Sequence, residues 1–270
     1  MSVVERNNVR VSGKPAGPAM LFAHGFGCAQ EMWRYVTPAF EADYRVVVFD
    51  HVGCGHSDTT HYDPIAYRSL DRYAADVLEI ITELDLREVI FVGHSVSAMI
   101  GVLASVAQPE RFAGLVMVGP SPRYIDDAEY VGGFDADDID ELLDSLDSNY
   151  LGWSRAMAPV IMGQPDRPEL GDELFGSFCR VDPAIARQFA RATFLADNRD
   201  DLCKVSVPTL VVQCAYDVIA PVGVGTYVHD HVRDSELVIL EVSGHCPNLS
   251  APELTIDAIR GFLRRAGSPS

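Results

Sequence analysis

The chain has 270 residues, 48% of them hydrophobic, which is enough for one large domain with a substantial core. Its 21 Lys and Arg against 39 Asp and Glu give a formal net charge of -18; this repels a phosphate backbone, and with no Lys/Arg cluster to offset it locally, nucleic acid is excluded as a partner. No run of about 18 apolar residues occurs and the N-terminal stretch carries Glu5, Arg6 and Arg10, so neither a membrane span nor a secretory signal is expected.

Cysteines at 28, 54, 179, 203, 214 and 246 form no CxxC pair and suit a reduced compartment, so the expected location is the cytoplasm. Much of the acid lies in RYIDDAEYVGGFDADDIDELLDSLD, Arg123 to Asp147, read as a solvated face with a protein-partner surface as the alternative.

In chain order, a weak strand over Val9 to Ser12 precedes the apolar runs AMLFA (19–23), RVVVFD (45–50), EVIFVG (88–93) and GLVMVG (114–119). Two more, PTLVVQC (208–214) and ELVILEV (236–242), follow after a long gap. Helical patterns at about 30–40, 68–84, 96–108, 221–231 and 251–265 lie between or after them. Short apolar strands alternating with helices predict an α/β fold, a mostly parallel sheet with helices on both faces. The gap reads as helices at about 137–158, 168–179 and 183–196, punctuated by PSPR, GQPDRPELG and VDP. Residues 1–119 and 208–270 are therefore expected to form the core, and 120–207 a helical lid over the carboxyl ends of the strands. The tail RRAGSPS is expected to fray.

Ser95, in FVGHSVS, follows a strand and opens a helix, with Gly93 and Ser97 two positions to either side. This is the setting of a nucleophile elbow, although the common G-x-S-x-G form ends in glycine. A helix N-cap is the competing reading for a serine at this place. A serine nucleophile needs a base and a group to orient it. Asp217 in QCAYDVIAP and His245 in EVSGHCPNLS each stand just beyond a later strand, in the order Ser-Asp-His that such a sheet requires. Asp50 also ends a strand but precedes the serine and is read as bracing the HVGCGHSD turn. The oxyanion donors are expected to be the backbone amides of Val96 and of Phe26 in HGFGC.

Phe26, Val96, Val218, Ile219 and Cys246 would surround the serine with apolar surface. The lid's Tyr124, Phe134, Trp153, Met157 and Phe194 are the further wall candidates, with Phe175 and Phe189 among its packing residues. The matching substrate is a small, uncharged, hydrophobic molecule with a carbonyl at its reactive centre. Cys246, beside the base, is a candidate for oxidation. The eight histidines have no metal-ligand spacing and the glycine-rich loops lack dinucleotide or P-loop patterns, so no metal and no cofactor are expected.

With HGFG (24–27), GHSVSAMIG (93–101), QCAYDVIAP (213–221) and SGHCPNLSAPE (243–253), the chain resembles the α/β-hydrolase superfamily. More narrowly it resembles the bacterial sigma-B energy-stress regulator hydrolases, of which hydrolase Q is the type, and the plant karrikin and strigolactone receptor hydrolases. NYLGWSRAMAPVIMG (149–163), DRPELGDEL (166–174) and CRVDPAIARQFARATFLADNRDDL (179–202) extend the likeness through the lid.

The resemblance implies an α/β-hydrolase sheet under a four-helix lid, Ser95 as nucleophile, His245 as base, Asp217 as its orienting acid, and Phe26 and Val96 as oxyanion donors. It also implies slow hydrolysis of small hydrophobic esters or lactones, and the SVS form of the elbow. Tyr216 stands where the bacterial regulator has an Asp. The alternative output is signalling, in which the main event is binding of a regulatory protein such as a PAS-domain phosphatase.

Overall fold

The computed structural model describes residues 2–266. After a short helix α1 (Val3–Arg6), seven strands form one sheet: β1 (Arg10–Gly13), β2 (Ala19–Ala23), β3 (Arg45–Val48), β4 (Val89–His94), β5 (Phe112–Val118), β6 (Thr209–Tyr216) and β7 (Ser235–Ser243). Their spatial order is β1-β3-β2-β4-β5-β6-β7. Only β1 runs antiparallel, pairing with β3 from Arg10 opposite Val48 to Gly13 opposite Arg45. It starts one residue later than the sequence pattern suggests and all four of its residues are exposed, as suits an edge. Every residue of β2 and of β4 is buried, so both faces of the sheet are covered.

Two of the crossovers between parallel strands are α2 (Leu70–Glu83) and α3 (Val96–Ala107). The first buries Leu70, Tyr73, Ala74, Val77, Ile80 and Ile81, a stripe at helical spacing, while α3 is buried over most of its surface. The helix expected at 30–40 is replaced by two single 3-10 turns, Gln30–Trp33 and Thr37–Ala39. Pro38 has no N–H for a continuing helix, and the Thr37 hydroxyl donates instead to the Trp33 carbonyl at 3.2 Å. Apolar spacing persisted across the break because Met32, Trp33, Val36 and Phe40 are all buried.

Between β5 and β6 lie α4 (Ala136–Met162), α5 (Pro168–Phe178), α6 (Pro183–Phe194) and α7 (Arg199–Leu202). Asp135 and Asp138 form a capping box at the start of α4. The helix breaks at Asn149, whose side-chain oxygen accepts from the Gly152 amide at 3.0 Å, and runs four residues past its expected end at 158. The chain closes with α8 (Val222–His231), α9 (Pro247–Ser250) and α10 (Pro252–Ala266). Arg264 to Ala266, expected to fray, belong to α10; the rest of that expected tail, 267–270, lies outside the described residues. Among the described residues no helix is long and apolar enough to cross a membrane.

The insert is fastened to the sheet where α4 ends. The Ile161 carbonyl accepts from the His245 amide at 2.8 Å, and Gln164 Nε2 donates to the Ser243 carbonyl at 2.7 Å. Gly244 lies between them at φ +94, where a Cβ would stand 1.9 Å from the Met162 carbonyl oxygen. Only glycine meets both the backbone angle and the contact. Gly244→Ala is expected to lower stability by about 2 kcal/mol or more. A urea midpoint unchanged from the parent would show that this fastening is not stressed as described.

Candidate active site

β4 ends at His94 and α3 begins at Val96, which leaves Ser95 alone to reverse the chain. It does so at φ 56 and ψ -122, a conformation costing an L-residue about 1–3 kcal/mol. Two bonds hold it there: the Ser95 amide donates to the Val118 carbonyl at 2.8 Å, and its own carbonyl accepts from the Ala98 amide at 2.9 Å. Strand and helix meet so closely that a Cβ on Gly93 would lie 2.4 Å from the Ser97 carbonyl oxygen. No side-chain capping bond is made by Ser95, which disfavours the N-cap reading.

Asp217 and His245 arrive from the ends of β6 and β7. His245 Nε2 lies 2.7 Å from Ser95 Oγ, and His245 Nδ1 lies 2.7 Å from Asp217 Oδ2. All three residues are buried. Asp217 Oδ1 accepts from the amides of Ile219 at 2.8 Å and Ala220 at 3.1 Å. Burial alone would raise the Asp217 carboxyl, but the His245 ring and those two amides outweigh it and hold its pKa below the ordinary value. Because the carboxylate accepts from Nδ1–H, Nε2 is left to accept the hydroxyl proton of Ser95. Gln213 supports the same loop, its amide nitrogen donating to the Ala220 carbonyl.

Val96 occupies the first position of α3, where an amide has no intrahelical acceptor. The Phe26 amide makes no backbone hydrogen bond among the described residues. Both belong to the turns that flank Ser95.

A cavity opens onto Ser95 and His245, walled from the core by Phe26, Cys28, His94, Ile219 and Cys246. Tyr124, from the loop after β5, forms another part of the wall. The insert contributes Leu142, Trp153, Met157 and Ile161 from α4, Leu174 and Phe178 from α5, and Thr193 and Phe194 from α6. The volume open to the centre of a water molecule is about 40 Å³. The Phe26 ring is the hub of the wall, meeting Trp153, Phe178, Phe189 and Phe194 at centroid distances of 5.7–6.3 Å. Burial pushes the Tyr124 phenol up to about 12, so it stays protonated beside the serine. Burial likewise pushes the Cys28 thiol up to about 12 and Cys246 well above the usual range. Both therefore remain thiols, which argues against Cys246 as an oxidation-sensitive group.

Three positions expected in the wall are not part of it. Val218 is 54% exposed, on the outer side of the loop whose next residue, Ile219, is 7% exposed and faces inward. Phe134 pairs its backbone with the loop after β5, donating to the Tyr124 carbonyl at 3.3 Å and accepting from the Asp126 amide at 2.7 Å. The Val96 side chain is buried in the first turn of α3 rather than in the wall. Leu142, Ile161, Leu174 and Phe178 were not foreseen; their helical spacing marks a buried face without saying whether a helix or a cavity lies opposite.

His94 neighbours the nucleophile in the sequence and lines the cavity. Its Nε2–H donates to the His245 carbonyl at 2.8 Å, and burial, aided by the neighbouring His245, pushes its pKa down to about 3, so the ring is neutral. Asp50 braces its turn as expected from its position: its carboxylate accepts from the amides of Gln30 at 2.8 Å and His56 at 2.9 Å.

A sheet of this order, an elbow serine and an aligned histidine and carboxylate define the class of hydrolases built on a doubly covered α/β sheet. The family model "Alpha/beta hydrolase family" matches residues 20–258, and the chain belongs to that family. It is 39% identical to the strigolactone esterase D14 of Arabidopsis thaliana over 267 residues, covering 98% of this chain and 97% of that one. It is 38% identical to the karrikin insensitive 2 receptor CA of Petunia hybrida over 258 residues, 95% of each chain. Among solved structures, a hydrolase from Oleispira antarctica superposes with a TM-score of 0.94 at 41% identity, covering 97% of this chain and 96% of that one.

The two sides of the Asp217 loop make a direct check. Ile219→Asp places a charge in the apolar wall and is expected to cost several kcal/mol, about 3 or more. Val218→Asp should stay within about 0.5 kcal/mol of the parent. Equal urea midpoints for the two variants would contradict the placement of the loop.

Proposed function

We propose that this protein is a serine hydrolase that cleaves a small, uncharged, hydrophobic ester or lactone through an acyl-enzyme on Ser95. The observation that carries the reading is the unbroken chain from Asp217 through His245 to Ser95, ending on a strained elbow that faces an apolar cavity. Ser95 Oγ attacks the carbonyl carbon as its proton passes to His245 Nε2. The amides of Phe26 and Val96 receive the developing oxyanion, each contributing about 3 kcal/mol to the transition state. The tetrahedral species collapses, the carbon–oxygen bond to the alcohol breaks, and His245 returns the proton to the leaving oxygen. Water then repeats the sequence with Ser95 Oγ as leaving group, releasing the acid and restoring the hydroxyl.

The wall supports the substrate class. Its residues carry carbon, sulfur, hydroxyl, indole and imidazole groups, and no Lys or Arg is among them to hold a carboxylated acyl group. A volume of about 40 Å³ favours a very small acyl group in the closed form; typical ligand pockets of about 300 Å³ or more imply that the insert acts as a lid that opens. Six free cysteines support a cytoplasmic setting.

A second reading, signalling, is favoured by the name of the Petunia relative, a receptor. Its output would be the binding of a regulatory protein, a PAS-domain phosphatase being the kind that the bacterial resemblance implies. The acidic stretch 123–147 gives this reading less support than its charge suggests. Asp126 turns its own loop through the Gly132 and Gly133 amides, Asp127 pairs with Arg199, and Asp147 with Arg191.

Intact mass spectrometry after treatment with a fluorophosphonate is expected to find one adduct, on Ser95, absent from Ser95→Ala. Ser95→Ala and His245→Ala are each expected to lower p-nitrophenyl acetate hydrolysis at least about 10³-fold with circular dichroism unchanged. Asp217→Asn should cost about 10²- to 10⁴-fold, because a histidine in the wrong tautomer still acts weakly. Activity within tenfold of the parent in either alanine variant would contradict the reading. For the signalling reading, partner capture must change between the parent and Ser95→Ala.

A further inference from the structure

Ser97 stands where the common elbow has glycine, and its hydroxyl joins three loops. Ser97 Oγ lies 2.5 Å from the His24 carbonyl oxygen and 2.8 Å from His51 Nε2. A carbonyl can only accept, so the serine donates to His24 and must accept from His51 Nε2–H. The circuit returns through the backbone: the His51 amide donates to His24 Nε2 at 3.0 Å. His24 therefore carries its proton on Nδ1, which lies 2.8 Å from the Gly25 carbonyl oxygen.

That carbonyl belongs to the same planar peptide unit as the Phe26 amide, and in a trans peptide the C=O and N–H point in opposite directions. Holding one therefore aims the other. His24, His51 and Ser97 are all fully buried.

We propose that Ser97 and His51 are positioning residues that, through His24, fix the peptide plane whose Phe26 amide receives the oxyanion formed at Ser95. The proposal rests on the hydrolase reading and goes beyond it by assigning work to two residues outside the triad and its donors. Its specificity lies in His51. The ring sits among aromatic edges and faces, with centroids 5.1 Å from Phe49, 5.5 Å from Tyr73 and 5.9 Å from Phe189, where an apolar ring would also pack. Among the described residues its Nδ1 has no hydrogen-bond partner, so a histidine here leaves one buried polar atom unsatisfied while committing the other to Ser97. Burial, with His24 close by, holds its pKa well below the usual value, and the neutral ring has a single N–H to give.

The test compares Ser97→Ala, His51→Phe, His51→Gln and the Ser97→Ala/His51→Phe double variant on p-nitrophenyl acetate. Alongside it runs inhibition by an alkyl trifluoromethyl ketone, whose serine adduct places an oxyanion at the two amides. Ser97→Ala and His51→Phe are expected to lower kcat about tenfold with KM within twofold. Inhibition by the ketone should weaken in proportion to kcat/KM. His51→Gln, which can restore a donor near the Nε2 position, should recover to within threefold of the parent. The double variant should be no worse than Ser97→Ala alone, since both changes open the same circuit.

Folded single variants with parental kcat would overturn the proposal, as would multiplied losses in the double variant or losses confined to the urea midpoint. If Ser97→Ala does not fold, the His51→Phe and His51→Gln pair decides. A parent chain that takes no fluorophosphonate on Ser95 would instead overturn the hydrolase reading and this proposal with it.

Discussion

The backbone reversal at Ser95 is the constraint around which the rest of the molecule is arranged. A positive φ at a serine is unfavourable by itself, so neighbouring elements must hold it, and they do so from both sides. The Val118 carbonyl at the end of β5 takes the serine amide, and the first turn of α3 takes its carbonyl. Gly93 must lack a side chain because the helix follows so closely. The hydroxyl is thereby lifted clear of the sheet at the one edge to which β6 and β7 deliver a carboxylate and an imidazole.

Polar groups at this edge are buried, and burial decides their roles. Asp217 stays ionised only because the His245 ring and two backbone amides offset its loss of solvent. The same loss of solvent keeps Cys28, Cys246 and Tyr124 protonated and His94 neutral, so the wall carries hydrogen-bonding groups without carrying charge. An apolar, uncharged ligand is what such a wall accepts at least cost.

How much of this was legible in the sequence varied with the range of the interactions. Strands buried on both faces announce themselves as short apolar runs, and β2, β4, β5 and β6 lay where those runs predicted. Ser95, Asp217 and His245 were legible because each follows a strand, and a parallel sheet sends all such loops to one edge. The break at Thr37–Ala39 was hidden by side chains that are buried in a helix or out of one. Val218 and Ile219 are adjacent and alike in the sequence, and the hydrogen bonds from the Ile219 and Ala220 amides to Asp217 shape the loop that turns one inward and the other out. Phe134 was misplaced because backbone pairing within its own loop, invisible to any periodicity, settles where it goes. Ser97 shows in the sequence only as a departure from the elbow's usual glycine; its partners at 24 and 51 are too distant along the chain for local pattern to connect them.

The bond from the His245 amide to the Ile161 carbonyl makes the last turn of α4 part of the histidine's own support. The natural seam for recombining this chain with a relative therefore does not fall at the ends of β5 and β6. A chimera that imported foreign helices would have to retain 161–164 from the recipient, or bring the donor's histidine loop along with its helices.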